Sequence, residues 1–321
     1  MQEFDLIHRF FDWPPAHPEV ALAGGDDAAL LAPPPGEQLV IATDMLIAGR
    51  HFPESTAPEA IAHKALAVNL SDLAAMGAAP LGFTLSLGLP ETDAAWLERF
   101  STGLRSAATR WDCDLVGGDT VRAPQLTLSI TAFGSVPVGK AIRRNGARAG
   151  DRLVVTGTIG DAALGLMVVL ASEQLPPDLG QADRDYLLDR LDRPEPRLAA
   201  GQALAGRASA GLDVSDGLLQ DLGHMLDDSG LAAEIDLDAI PLSPAACRWL
   251  DARPVHVDRV LGGGDDYELL LALPADLALD PAWGLTVIGR LDDAGAVGEI
   301  REGSGRPLPG QRGYNHFAEG S

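Results

Sequence analysis

Cysteine is almost missing from this sequence: Cys113 and Cys247 are the only two in 321 residues. That rules out a disulfide framework and a cysteine-based zinc site, and it suits a reducing compartment. Basic residues are also scarce, with 24 Lys and Arg against 46 Asp and Glu and a formal net charge of −22 at pH 7. A protein that grips nucleic acid through its phosphates needs the opposite sign, so general nucleic-acid binding is excluded. Long apolar runs are absent. The most apolar stretch, residues 162–171, is bounded by Asp161 and Ser172 and is about half the length of a membrane span. Residues 1–5 show neither a basic start nor an apolar run behind them, which predicts no secretory signal. Together these absences predict a cytoplasmic protein with no membrane partner. No local signature of a Ser-His-Asp or Cys-His nucleophile occurs.

What is present points to packed domains. Hydrophobic residues make up 46% of the chain, enough for sizeable cores, and the length predicts two domains. The 46 acids divide into 32 Asp and 14 Glu. Exposed helix faces are usually filled with Glu, the better helix former, so this excess of Asp points to caps, turns and metal ligands. Residues 39–44 and 82–89 read as strands. In 126–136, Leu126, Leu128, Ile130 and Ala132 alternate with Thr127, Ser129, Thr131 and Phe133, the pattern of a strand with one apolar face. Helices are predicted over 61–76, stopped by Gly77 and Pro80, and over 93–111, where Leu97, Phe100, Leu104, Ala108 and Trp111 share a stripe.

A basic, glycine-punctuated stretch at 143–151 interrupts this pattern and predicts two domains, 1–147 and 148–321. The second half repeats strand, Gly-rich turn and helix twice. Residues 153–156 lead through Gly157 and Gly160 to a helix with Leu164, Met167 and Leu170, and 211–217 lead to a helix with Leu218, Leu222 and Met225. The polar segment 173–185 reads as a loop. The aromatic cluster at 314–317 predicts a docked C-terminus.

Aspartates recur beside glycine near the predicted strand ends: Asp26 and Asp27, Asp44, Asp119, Asp213 and Asp216, Asp265 and Asp266. Asp72 differs, lying one helical turn from Asn69. Each alone fits a turn or cap. If they converge, their mutual repulsion calls for hard cations, above all Mg²⁺, which commonly serves phosphate substrates. The tetrapeptide Gly-Gly-Asp-Asp occurs twice, at 24–27 and 263–266. Residues 134–140 match most of a phosphate-binding loop, but Ala141 stands where a Mg²⁺-binding hydroxyl belongs, so that match is read as accidental.

The ordered motifs Gly25-Asp26-Asp27-Ala28-Ala29-Leu30-Leu31, Thr43-Asp44-Met45-Leu46-Ile47-Ala48-Gly49-Arg50-His51-Phe52, Lys64-Ala65-Leu66-Ala67-Val68-Asn69-Leu70-Ser71-Asp72-Leu73-Ala74-Ala75-Met76-Gly77, Gly117-Gly118-Asp119-Thr120, Asp213-Val214-Ser215-Asp216-Gly217 and Asp266-Tyr267-Glu268-Leu269 span nearly the whole chain. Together they resemble the thiamine-monophosphate kinase family, with the run 64–77 the most specific. The resemblance implies an α/β, two-domain fold with the architecture of aminoimidazole ribonucleotide synthetase: an N-terminal domain whose sheet forms a homodimer, and a C-terminal α/β domain completing the site.

It further implies ATP-dependent phosphorylation of thiamine monophosphate to thiamine diphosphate, the last step of that cofactor's biosynthesis, assisted by several Mg²⁺ ions. Asp27, Ala42 through its carbonyl, Thr43, Asp44, Asp72, Asp119, Asp213 and Asp216 match metal-binding positions, with Asp44, Asp72, Asp119 and Asp216 catalytic. Gly118, Asp119, Arg144 and Ser215 match nucleotide contacts, and His51, Asp265 and Tyr314 match substrate contacts. The chain departs from the family pattern at Ala42, where Ser is common, and at Asp265, where Glu is common. Two other readings remain open: another ATP-using enzyme of the same architecture, such as aminoimidazole ribonucleotide synthetase or selenophosphate synthetase, and a non-catalytic acidic metal buffer.

Overall fold

The alternation at 126–136 forms a strand inside a four-stranded sheet. The computed structural model describes residues 3–170, 175–177, 179–305 and 308, and the chain divides between residues 139 and 140 into two compact units, with 74–77 grouped with the second. The first unit runs α1 (Glu3–Phe10), β1 (Val20–Leu22), β2 (Leu30–Leu31), β3 (Glu37–Ile47), α2 (Pro58–Ala75), β4 (Ala79–Leu89), α3 (Ala94–Arg110), β5 (Asp114–Arg122) and β6 (Thr127–Pro137). Its main sheet has the order β3-β6-β4-β5. The β4–α3–β5 crossover makes β4 and β5 parallel, while β6 is antiparallel to both β3 and β4.

Pleat and register explain which residues are covered. Leu128, Ile130 and Ala132 of β6 lie beside Leu87, Leu85 and Phe83 of β4, and all six are buried. Helix α2 packs on this face so closely that a side-chain carbon at Gly134 would come 3.0 Å from Leu73 Cδ1. Helix α3 fits beside α2, where a carbon at Gly103 would come 2.7 Å from Glu59 Cα. Helix α2 is buried almost all round and therefore shows no amphipathic stripe. It ends as its sequence predicts: Gly77 has φ +72, its N–H donates to Ala74 O, and Ala78 N–H donates to Leu73 O, a left-handed cap that suits glycine. The opposite face of the sheet is open along β3, where Leu39, Ile41 and Met45 are 44%, 61% and 54% exposed.

The second unit runs β7 (Arg152–Thr156), α4 (Asp161–Val169), α5 (Gln181–Asp192), α6 (Leu198–Leu204), β8 (Ala210–Asp213), α7 (Leu218–Ser229), β9 (Ala232–Ile235), α8 (Pro244–Ala252), α9 (Val257–Gly262), β10 (Leu269–Leu273), β11 (Leu285–Asp292) and β12 (Ile300–Glu302). Its sheet has the order β12-β9-β11-β7-β10-β8. Strands β7 and β10 lie inside it, and β10 is buried along its whole length. The core between sheet and helices includes Leu153, Val155, Leu212, Leu222, Met225, Trp249 and Leu270.

Two expectations need correcting or limiting. The segment 173–185 is not all loop, because α5 starts at Gln181. Its first turn is polar, bridged by Gln181 Nε2 donating to Asp185 Oδ1 at 2.7 Å, and only Leu187 and Leu191 are buried, so it offers little apolar periodicity to read. Tyr314 and the aromatic cluster at 314–317 lie outside the described residues. The phosphate-loop look-alike at 134–140 spans the end of β6 and a turn, and no helix follows it, so it has no helix N-terminus to offer a phosphate. No helix among the described residues is long and apolar enough to cross a membrane.

Candidate active-site residues on each unit

The glycine pairs of the first unit bring its acidic motifs together. A cavity of about 670 Å³, within the usual range of small-ligand sites, is lined by α1, residues 24–29 and residues 115–120. Asp27, Gly118 and Asp119 are therefore neighbours, as their motifs imply, and Phe11 and Trp13 supply apolar wall. Gly118 is required by close approach, since a side-chain carbon there would lie 2.0 Å from Leu85 O on the adjacent strand. In the opposite motif Gly25 adopts φ +109, and Asp27 N–H donates to Asp26 Oδ1 at 2.7 Å.

Asp44 and Asp72 are linked through Asn69. The Asn69 amide is almost fully buried; its Oδ1 accepts from Asp44 N–H at 2.9 Å and its Nδ2 donates to Ala65 O at 2.9 Å. The backbone of β3 is thereby tied to α2 one turn from Asp72. Asp44 is exposed by surface area, yet neighbouring protein crowds its carboxyl and raises its pKa by desolvation. Its neighbour Thr43 points to the other face of the strand, and its hydroxyl donates to Ile130 O at 3.0 Å across the β3–β6 ladder. Ala42 is half-buried on the same strand and offers only backbone groups. His51 closes the turn after β3: Ile47 N–H donates to its Nδ1 at 3.0 Å, which leaves the proton of the neutral ring on Nε2.

In the second unit, Asp213 ends β8 and Ser215 and Asp216 occupy the loop leading to α7. Gly217, at φ +114, leaves no room for a side chain, since a carbon there would lie 2.7 Å from Gly262 C. The loop is held from two sides. The Asp221 carboxylate, in the first turn of α7, accepts from the N–H groups of Ser215, Asp216 and Gly217 at 3.1, 3.0 and 3.1 Å. Burial pushes its pKa up to about 7; the backbone bond from Asp216 opposes that rise and the charges of Asp216 and Asp213 add to it. On the other side, Asp265 N–H donates to Ser215 O and Tyr267 N–H to Val214 O, both at 2.9 Å.

The segment 263–268 separates its acids by function. Gly264, Asp265 and Tyr267 all have left-handed backbone, at φ +71, +64 and +53; for two non-glycine residues this is strained and is kept only where surroundings enforce it. Asp265 accepts from the Tyr267 hydroxyl at 3.0 Å. Asp266 turns inward, accepts from Gly160 N–H at 2.7 Å, and is raised well above the ordinary carboxylate range by burial. Glu268 is completely buried, paired with Arg190 at 2.9 Å and Arg197 at 2.5 Å, and accepts from Thr156 Oγ1 at 2.6 Å. This network anchors the segment from below. Arg144 is exposed on the chain between the two sheets.

The motifs contain Asn69 and Glu268 without marking the anchoring each performs, and Asp221 lies in none of them. The local signal for Asp221 is an acid in the first turn after a Gly-ended loop, which equally suits an ordinary helix start. Among the described residues, no three His, Cys, Asp or Glu side chains form a ready-made metal cage. The candidate carboxylates and hydroxyls on each unit nevertheless offer oxygen donors only. Such a set suits Mg²⁺, which usually takes one or two protein carboxylates together with waters and substrate phosphates.

Residues 25–136 match the family described as AIR synthase related protein, N-terminal domain, and residues 148–304 match its C-terminal domain. The chain is 44% identical over 327 aligned positions to the thiamine-monophosphate kinase of Salmonella typhimurium, covering 98% of each. It superposes on the crystal structure of thiamine-monophosphate kinase from Stenotrophomonas maltophilia with a TM-score of 0.82 and 42% identity, covering 95% of this chain and 96% of that one. A structure described as AaThiL complexed with AMPPCP and TMP is similar at a TM-score of 0.79 and 30% identity, covering 98% and 96%.

Proposed function

Because the chain belongs to the thiamine-monophosphate kinases of the AIR synthase related family, we propose that it transfers the γ-phosphoryl group of ATP to thiamine monophosphate, giving thiamine diphosphate and ADP. The observation that carries this reading is the 44% identity to a thiamine-monophosphate kinase over 98% of both chains. A similar structure described as holding AMPPCP and TMP supports the same pair of substrates.

Two sets of groups serve the transfer. On the first unit, Asp27, Asp44, Asp72 and Asp119, with the Ala42 carbonyl, would hold Mg²⁺, and Gly118 with Asp119 meets the nucleotide; Thr43 is assigned to the metal by motif alone, since its hydroxyl is engaged by Ile130 O on the other face of β3. Gly118 suits that task because bare backbone can approach a phosphate closely. On the second unit, Asp213 and Asp216 would hold Mg²⁺, Ser215 and Arg144 meet the nucleotide, and Asp265 meets the substrate. His51, with a proton on Nε2, can donate to a phosphate oxygen, and Tyr314 is assigned to the substrate by motif alone. When bound, Mg²⁺ neutralises two polyanions that would otherwise repel each other and the aspartates. The chemistry is a direct displacement: a phosphate oxygen of thiamine monophosphate forms the new P–O bond, and the bond to the bridging oxygen of ADP breaks. Incubating the protein with Mg-ATP should release ADP only when thiamine monophosphate is present, with one thiamine diphosphate per ADP. ADP release without the acceptor, or none with it, would overturn the reading.

The enzyme acts as a homodimer built on the open face of the first unit's sheet. Leu39, Ile41 and Met45 form an exposed apolar row on β3, and a row of this kind is normally covered by a partner. Sedimentation at micromolar concentration should give twice 33.6 kDa, and Ile41→Asp, which places a charge in the row, should give the monomer. A wild-type monomer would remove the dimer.

A further inference from the structure

Three successive backbone N–H groups converge on one carboxylate oxygen, and they belong to the loop that bears Ser215 and Asp216 and follows Asp213 at the end of β8, three residues assigned to metal and nucleotide. We propose that Asp221 is a positioning residue for phosphoryl transfer, fixing the 215–217 backbone and through it the aim of Asp213, Ser215 and Asp216. The inference rests on the reading of those three residues given above.

The geometry goes beyond what a helix start requires. An acid in the first turn of a helix is ordinarily stabilised by the helix dipole and bonds one or two N–H groups of its own helix. Here Asp221 Oδ2 reaches back four, five and six residues to Gly217, Asp216 and Ser215. All three donors lie before the first helical residue, Leu218. The loop has no side-chain cap of its own, since Gly217 occupies the N-cap position. Its carbonyls are engaged on the other side, with Ser215 O accepting from Asp265 N–H and Val214 O from Tyr267 N–H. Asp221 therefore supplies the half of a clamp that accepts from the loop's N–H groups, and the strained 263–267 segment supplies the half that donates to its carbonyls. With both halves in place the loop can present carboxylates to a cation without first being ordered, and supporting groups of this kind commonly contribute 10–100-fold to metal affinity or activity.

The test separates shape from charge. Asp221→Asn keeps an acceptor oxygen at the same place, and its amide N–H₂ can face the Asp213 and Asp216 carboxylates. Asp221→Glu keeps the charge but moves the oxygen by one methylene, and Asp221→Ala removes the acceptor. Mg²⁺ titrations of ADP release at saturating substrates should give half-saturation within about twofold of wild type for Asn and raised about tenfold or more for Glu and Ala. Amide hydrogen exchange of 215–217 should stay slow in Asn and become faster in Glu and Ala. If Ala does not fold, the Asn and Glu pair decides. Asn as impaired as Glu, Glu equal to wild type, or unchanged exchange in both Glu and Ala would overturn the proposal. The exchange arm needs no turnover, so a wild type inactive on thiamine monophosphate would sink the functional reading while still testing the clamp.

Discussion

Free thiamine is expected to accept the phosphoryl group from Mg-ATP on the order of 10²–10⁴-fold more slowly than thiamine monophosphate, the range that a general base contributes to proton transfer. Thiamine presents a hydroxyl, whose proton must be taken as the new bond forms. None of the residues assigned here is an evident base: the metal-directed aspartates are committed to cations, Asp265 already accepts from the Tyr267 hydroxyl, and Nδ1 of His51 already accepts the Ile47 N–H. Thiamine monophosphate presents no such demand. Its second phosphate pKa is about 6, so at neutral pH the attacking oxygen is already largely ionised. An acceptor already ionised needs no covalent detour, so no labelled phosphoenzyme is expected from γ-labelled ATP. Efficient phosphorylation of thiamine, or a phosphoenzyme formed and consumed at the turnover rate, would defeat the direct mechanism.

Asp72→Asn should lower kcat by about 10²–10³-fold, the scale on which a group aimed at transferring charge acts, while leaving the melting temperature unchanged. Asn has the shape of Asp but lacks its charge, and Asp72 is only half-buried on a helix whose other residues are largely in the core. The carboxylate stands one turn from Asn69, which holds the backbone of Asp44, so the substitution removes charge where two metal-directed acids are held by one helix. Activity near wild type at saturating Mg²⁺, with unchanged melting, would remove Asp72 from the site.

The parts of the fold that were legible from sequence are those where one face meets the core and the other does not. Leu128, Ile130 and Ala132 alternate with half-buried Thr and Ser, and the stripe of α3 follows the same logic at helical period. Strand β10 was illegible for the opposite reason. Leu269 to Leu273 is apolar at every position because both faces are covered, so the period-two signal vanishes. The carboxylates were legible as motifs, but their separate roles were not. Asp265 and Asp266 are adjacent and identical in type, yet a left-handed backbone at Asp265 leaves one facing Tyr267 and turns the other onto Gly160. Asn69 and Asp221 act on residues brought to them by tertiary folding or across a loop, contacts that no spacing in the sequence encodes.

Helix α2 is covered on nearly every side, and this sets how the site can fail. A core helix opens only when the unit around it opens, unlike a surface loop, which frays on its own. The helix backbone that carries Asp72 and Asn69 is therefore expected to open with the first unit rather than by local fraying. The residues of the 24–27 loop are not protected in this way, so slow thermal drift in activity before melting would be a property of that loop and not of the helix.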